Sequence, residues 1–135
     1  MANENVNNKK LLVIEEVEDE TSLREVIRDK FSLEGFKVIE AKNGEEGLEM
    51  ALREHPDLIL LDILMPKMDG ITMMKKLRTT NEWGKKVPII LLTNLSADDE
   101  NINKAILENE PAYYLVKSNY TIDELVGKIR ERLSQ

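Results

Sequence analysis

The chain has 135 residues, with 19 Lys and Arg against 26 Asp and Glu for a net charge of −7, one His and no Cys. A chain of this size fits one domain that buries about two thirds of its unfolded surface; without Cys it has no disulfide or thiolate chemistry, and a single imidazole supports neither a structural zinc site nor a Ser-His-Asp machine. The acidic balance argues against nucleic acid as a partner of this domain, because phosphate binding needs clustered Lys and Arg, and it suits hard cations.

The opening MANENVNNKK has no apolar core of a signal peptide, and no apolar run approaches the roughly 20 residues that cross a bilayer, so a cytoplasmic location without membrane contact is expected. Residues 1–8 read as a disordered tail by composition, leaving 9–135 as one domain. The first strand is expected over Leu11 to Ile14, with an extension to Val17 as the alternative, and the acidic run Glu15-Glu16-Val17-Glu18-Asp19-Glu20 comes next. Leu23, Val26, Ile27 and Phe31 recur at helical spacing, and a second strand follows over Phe36 to Glu40. Asn43 and Glu46 have capping-box spacing ahead of a helix with Leu48, Ala51 and Leu52 inward, and His55 stands near the end of that helix, where positive charge is welcome.

The third strand is expected over Leu58 to Asp62, the third helix begins after an Asp69-Gly70 turn with Ile71, Met74 and Leu77 on its apolar face, and Trp83 falls in a loop as a surface cover. The fourth strand runs from Val87 to Leu92 and closes at Thr93; Ser96 can cap a fourth helix carrying Ile102, Ala105 and Ile106. A fifth strand over Ala112 to Val116 leads to Thr121 and Glu124, a second capping box, and to a last helix with Ile122, Leu125, Val126, Ile129 and Leu133. Gly35, Pro56, Gly70 and Pro111 punctuate the elements. Five strands alternating with helical segments predict a parallel α/β sheet, and the unbroken apolar runs Leu58–Leu61 and Ile89–Leu92 predict central strands covered on both faces.

Ligands of such sheets bind beyond the carboxyl ends of the strands. Those ends carry the acidic run after the first strand, Asp62 after the third, Thr93 after the fourth and Lys117 after the fifth. Crowded carboxylates need a cation among them, and oxygen ligands suit Mg²⁺. A lysine and a hydroxyl beside them suit a transferring phosphoryl group, for which an Asp carboxylate can be the nucleophile.

Asp62-Ile63-Leu64-Met65-Pro66-Lys67-Met68-Asp69-Gly70, preceded by Glu18-Asp19 and followed by Thr93 and Tyr114-Leu115-Val116-Lys117, resembles the response-regulator receiver domain of two-component signalling over nearly the whole chain, in the stand-alone, chemotaxis-regulator-like form. The resemblance implies a flavodoxin-like (βα)5 fold with helices on both faces. It makes Asp62 the phosphoacceptor, Asp19 a direct Mg²⁺ ligand, Glu18 a ligand through water and Leu64 a ligand by its backbone carbonyl. Lys117 and Thr93 bind the phosphoryl group, and Thr93 and Tyr114 form the switch. A histidine kinase or phosphotransfer protein is the implied donor; the fourth helix, fifth strand and fifth helix are the implied face for a downstream protein that the sequence does not name. The domain is then a signalling module and no enzyme beyond phosphoryl transfer to and from its own Asp.

The chain departs from the family pattern in three places. Glu15, Glu16 and Val17 separate the first strand from Glu18-Asp19, so Glu15 and Glu16 form an alternative acidic pair; Asn94 follows Thr93 where a small residue is usual; and Ser118 replaces the usual proline after Lys117. A flavin or nucleotide carrier of the same fold would need a Gly- or Ser/Thr-rich phosphate loop where the acidic run stands. An aspartyl-phosphate hydrolase would need a second Asp where Leu64 stands. A degenerate receiver that acts as a phosphorylation-independent interaction module is the remaining alternative.

Overall fold

A computed structural model describes residues 9–14, 23–63, 68–93, 104, 107–108, 113–116 and 120–134. The elements are β1 (Lys10–Ile14), α1 (Leu23–Leu33), β2 (Lys37–Ala41), α2 (Gly44–Glu54), β3 (Leu58–Asp62), α3 (Gly70–Arg78), α4 (Glu82–Lys86), β4 (Ile89–Thr93), β5 (Tyr113–Val116) and α5 (Ile122–Leu133). The five strands form one parallel sheet in the order β2-β1-β3-β4-β5.

Side chains alternate across a strand, so a run that is apolar at every position must be covered twice. Leu11, Val13, Leu58, Leu60, Ile90 and Leu92 pack with Phe31 of α1 and with Leu125, Val126 and Ile129 of α5. The intervening Leu12, Ile14, Ile59, Leu61, Ile89 and Leu91 pack with Ala51 of α2 and with Met73, Met74 and Leu77 of α3. Each layer is therefore built by one parity of the same strands.

Several boundaries differ from the sequence reading. β2 begins at Lys37; Phe36 stands before it as a core residue, its ring edge-on to Phe31 at 5.8 Å. β4 begins at Ile89, because the Val87 amide closes α4 by donating to the Trp83 carbonyl at 3.0 Å and Pro88 has no amide to give a ladder. Val26 is half exposed and does not share the buried stripe of α1. Trp83 lies in the helix α4, packs against the α2/α3 layer and stacks on His55 with centroids 4.2 Å apart. His55 closes α2 in the left-handed region at φ 47°, with its amide on the Ala51 carbonyl. The Thr121–Glu124 capping box is present. At α2, Asn43 accepts from the Glu46 amide at 2.8 Å while the Glu46 carboxylate accepts from the Lys42 amide, one residue earlier than a standard box. Lys104, Leu107 and Glu108 are helical; Ser96, Ile102, Ala105, Ile106, Pro111 and the tail 1–8 lie outside the described residues.

Candidate functional site

Because all five strands are parallel, Ile14, Ala41, Asp62, Thr93 and Val116 finish at one edge of the sheet. Helices that follow a parallel strand begin at the same edge, so the starts of α2 and α3 bring unpaired amides and the positive ends of helix dipoles there. A carboxylate at that edge is electrostatically favoured.

Asp62 is the last residue of the fully buried β3 and is itself only 8% exposed, one of the two buried polar side chains among the described residues, with Asn43 the other. By alternation it follows Leu58 and Leu60 on the α1/α5 side of the sheet. It stands level with Leu92 of β4, and the Ile63 amide continues the ladder to the Leu92 carbonyl at 3.0 Å.

The chain after Asp62 is held at its far end. The Gly70 amide returns to the Ile63 carbonyl at 2.9 Å, and Asp69 caps α3 by accepting from the Thr72 amide at 2.8 Å. Gly70 lies against the Asp62 carbonyl so closely that a Cβ would overlap it and come within 2.9 Å of the Ile63 Cα. Met68 lies in turn against Gly44, the first residue of α2, where a Cβ would overlap the Met68 carbonyl oxygen. The sequence reading treats Asp69-Gly70 as a turn and places no role on Gly44. Such a close approach between distant backbones has no local periodicity that could announce it.

The site residues divide by position. Asp62 is placed at the strand-end edge; Thr93 is the last residue of β4, and Tyr114 is the second residue of β5, paired with Leu91. Val116, which precedes Lys117 in sequence, is level with Thr93. Glu15, Glu16, Glu18, Asp19, Leu64, Asn94, Lys117 and Ser118 lie outside the described residues. Among the described residues no three His, Asp or Glu side chains converge as a metal site. Asp62 is a hard anionic oxygen donor at the edge toward which β1 also runs, a donor type that fits Mg²⁺.

The response regulator receiver domain model matches residues 14–130, most of the chain. The chain belongs to the response regulator receiver domain family. The receiver is 40% identical over 125 residues to a probable transcriptional regulator, ycf27, of Porphyridium aerugineum, covering 93% of this chain and 48% of that protein. Among solved structures, it matches the BeF3-activated N-terminal receiver domain of Klebsiella pneumoniae RstA at 30% identity and a TM-score of 0.77, over 93% of this chain and 99% of that one. It also matches the receiver domain of the sensor histidine kinase PA1611 of Pseudomonas aeruginosa PAO1, solved with a magnesium ion in its active-site cleft, at 25% identity and a TM-score of 0.77, over 95% and 99% of the two chains. The chain spans about half the length of the curated relatives it matches. Among the described residues, no helix is long and apolar enough to cross a membrane.

Proposed function

We propose that this receiver takes a phosphoryl group from the phosphohistidine of a histidine kinase or phosphotransfer protein onto Asp62. The observation that carries the reading is a buried aspartate at the carboxyl end of a central parallel strand, with its following main chain tied to both neighbouring elements. A carboxylate oxygen of Asp62 forms the new O–P bond, the P–N bond to the donor imidazole breaks, and the imidazole nitrogen keeps the electron pair. Phosphoryl transfer asks for little covalent help and mainly for positioning and charge, which a fixed carboxylate supplies.

Mg²⁺, when bound, neutralises charge on the phosphoryl oxygens. Asp19, Glu18 through water, Asp62 and the Leu64 carbonyl would hold it, by the family resemblance. Lys117 and Thr93 would bind the transferred group, and its added charge would bias Thr93, Tyr114 and the face of the helical segment between β4 and β5, β5 itself and α5 toward a partner-binding state. Several relatives are probable transcriptional regulators of about twice this length, so an output in transcription carried outside this domain is the corresponding downstream role.

One observation favours a second assignment of the acidic pair. Ile14 is level with Leu61, one residue before Asp62, so a continued register would set the position after Ile14 level with Asp62 and favour Glu15 and Glu16. The sequence spacing from Asp19 to Leu23 and Arg24 favours Glu18 and Asp19, because it matches the family's first helix.

The test is mass measurement after incubation with Mg²⁺ and acetyl phosphate. The wild-type chain is expected to gain one phosphoryl group and Asp62→Asn none. No Asp62-dependent adduct would leave the phosphorylation-independent interaction module as the function.

A further inference from the structure

Resting on the phosphoacceptor reading, we propose that Gly44 at the start of α2 is a positioning residue that sets where Met68 and the start of α3 lie against Asp62 and Ile63. The glycine needs a reason, because in a helix it is worse than alanine. Backbone conformation is not that reason: among the described residues only Gly35 is a glycine with positive φ. What Gly44 provides is the absence of a side chain. A Cβ there would overlap the Met68 carbonyl oxygen and lie 2.8 Å from both the carbonyl carbon and the Cβ of Met68.

This contact is rigid on both sides. On the α2 side, the buried Asn43 accepts from the Glu46 amide at 2.8 Å, and the Glu46 carboxylate accepts from the Lys42 amide at 2.9 Å, so the first turn is fastened at two points. Gly44, Gly47 and Ala51 are its buried residues, which draws the helix close to its neighbours. On the loop side, Met68 leads directly into Asp69, which caps α3, and Gly70, whose amide is bonded to the Ile63 carbonyl at 2.9 Å and which touches the Asp62 carbonyl. A displacement of Met68 therefore passes through Asp69 and Gly70 to Ile63, the neighbour of the acceptor. α2 acts as a stop for Met68, and its distance is set by the smallest residue available.

The experiment compares Gly44→Ala with Gly84→Ala in the full chain. Gly84 is an equally tight site, where a Cβ would overlap the Leu77 carbonyl, but it lies in α4, ahead of β4 at the opposite edge of the sheet. Two quantities are read: amide hydrogen-exchange protection at Gly70 and Ile63, which requires no phosphorylation, and the rate of adduct formation from acetyl phosphate with Mg²⁺. Gly44→Ala is expected to lower protection at these two amides and to slow the adduct at least tenfold. Gly84→Ala is expected to lose global stability while keeping the adduct rate of its folded fraction within threefold.

Should Gly44→Ala fail to fold, Asn43→Ala, which loosens the same turn without adding bulk, is expected to lower Gly70 and Ile63 protection while leaving the amides of β2 unchanged. Unaltered protection at Gly70 and Ile63, or equal slowing in Gly84→Ala, would overturn the proposal. If wild type itself forms no adduct at Asp62, the phosphoacceptor reading fails, and the exchange data still decide whether Gly44 positions the loop.

Discussion

Ile63 donates its amide to the Leu92 carbonyl at 3.0 Å, which carries the β3–β4 ladder one residue beyond Asp62. The bond ties the acceptor's neighbour to the strand that closes at Thr93, while the Ile63 carbonyl receives the Gly70 amide from the start of α3. A single residue thus joins three elements of the site, and the carboxylate beside it cannot be displaced without cost to a strand and a helix. Positioning of that kind is fixed before any donor arrives, which is where a transfer reaction gains most from its protein.

The Gly70 contact gives a stability prediction of its own. A Cβ at Gly70 would meet backbone of Asp62 and Ile63, which a side-chain rotation cannot relieve. Gly70→Ala is expected to lower unfolding stability by about 2 kcal/mol, the middle of the range for overpacked sites. Gly127, with nothing within 4 Å of its Cβ position, is in a helix interior, so Gly127→Ala is expected to stabilise slightly. Urea unfolding of both variants checks the pair, and equal effects of the two substitutions would contradict the close approach at Gly70.

The two candidate acidic pairs separate by metal dependence. Glu18→Gln with Asp19→Asn is expected to raise the Mg²⁺ concentration needed for half-maximal adduct formation at least tenfold, since the sequence spacing from Asp19 to Leu23 and Arg24 matches the family's first helix. Glu15→Gln with Glu16→Gln is expected to change it less than threefold. The opposite ranking would mean that the β1 register seen at Ile14 and Leu61 continues unbroken and that Glu15 and Glu16 take the metal.

Much of the fold was legible because parallel strands covered on both faces must be apolar at every position, as Leu58–Leu61 and Ile89–Leu92 are. Asp62 was legible for the same reason: a charge ending such a strand stands out. Pro88 shows where propensity misled, since Val87 looks like strand but serves as the last bond of α4. Gly44 was missed because its partner, Met68, is 24 positions away and meets it only through tertiary packing. Trp83 was misplaced because its five-residue helix is too short to show a period and is held by the Asn81 cap, whose side chain accepts from Gly84 at 2.7 Å, and by stacking on His55.

The Trp83 position decides how well its fluorescence can report on the site. The ring stacks on His55 at 4.2 Å and 7° between planes, in the helix that leads into β4, whereas Asp62 ends β3 about 13 Å along the strand from its first residue. His55→Ala is expected to change Trp83 emission substantially, and beryllofluoride with Mg²⁺ is expected to change it by less than a tenth of that amount. A large beryllofluoride-dependent change that vanishes in Asp62→Asn would show that the phosphorylation signal crosses the whole sheet.

Acid sensitivity can be assigned at the edge opposite the site. The Arg53 guanidinium, donating to Glu54 at 3.3 Å, and the Lys10 ammonium at 3.4 Å hold the Glu54 carboxyl below its ordinary range. A folded-state pKa below the unfolded value means that the contribution is complete above the ordinary Glu pKa, about 4.3, and is lost as pH falls through the lower folded value. The Lys10 contact matters because its amide also donates to Asp57 at 2.8 Å and its ammonium to the Glu54 carbonyl, so this cluster joins the start of β1 to the segment between α2 and β3. Glu54→Gln is therefore expected to reduce the loss of stability between about pH 7 and about pH 3.5, and the difference from wild type should shrink in 0.5 M salt because the pairs are solvent-accessible. Urea midpoints at the two pH values check it. A wild type and variant that lose equal stability would show that the acid limb is set by carboxylates elsewhere.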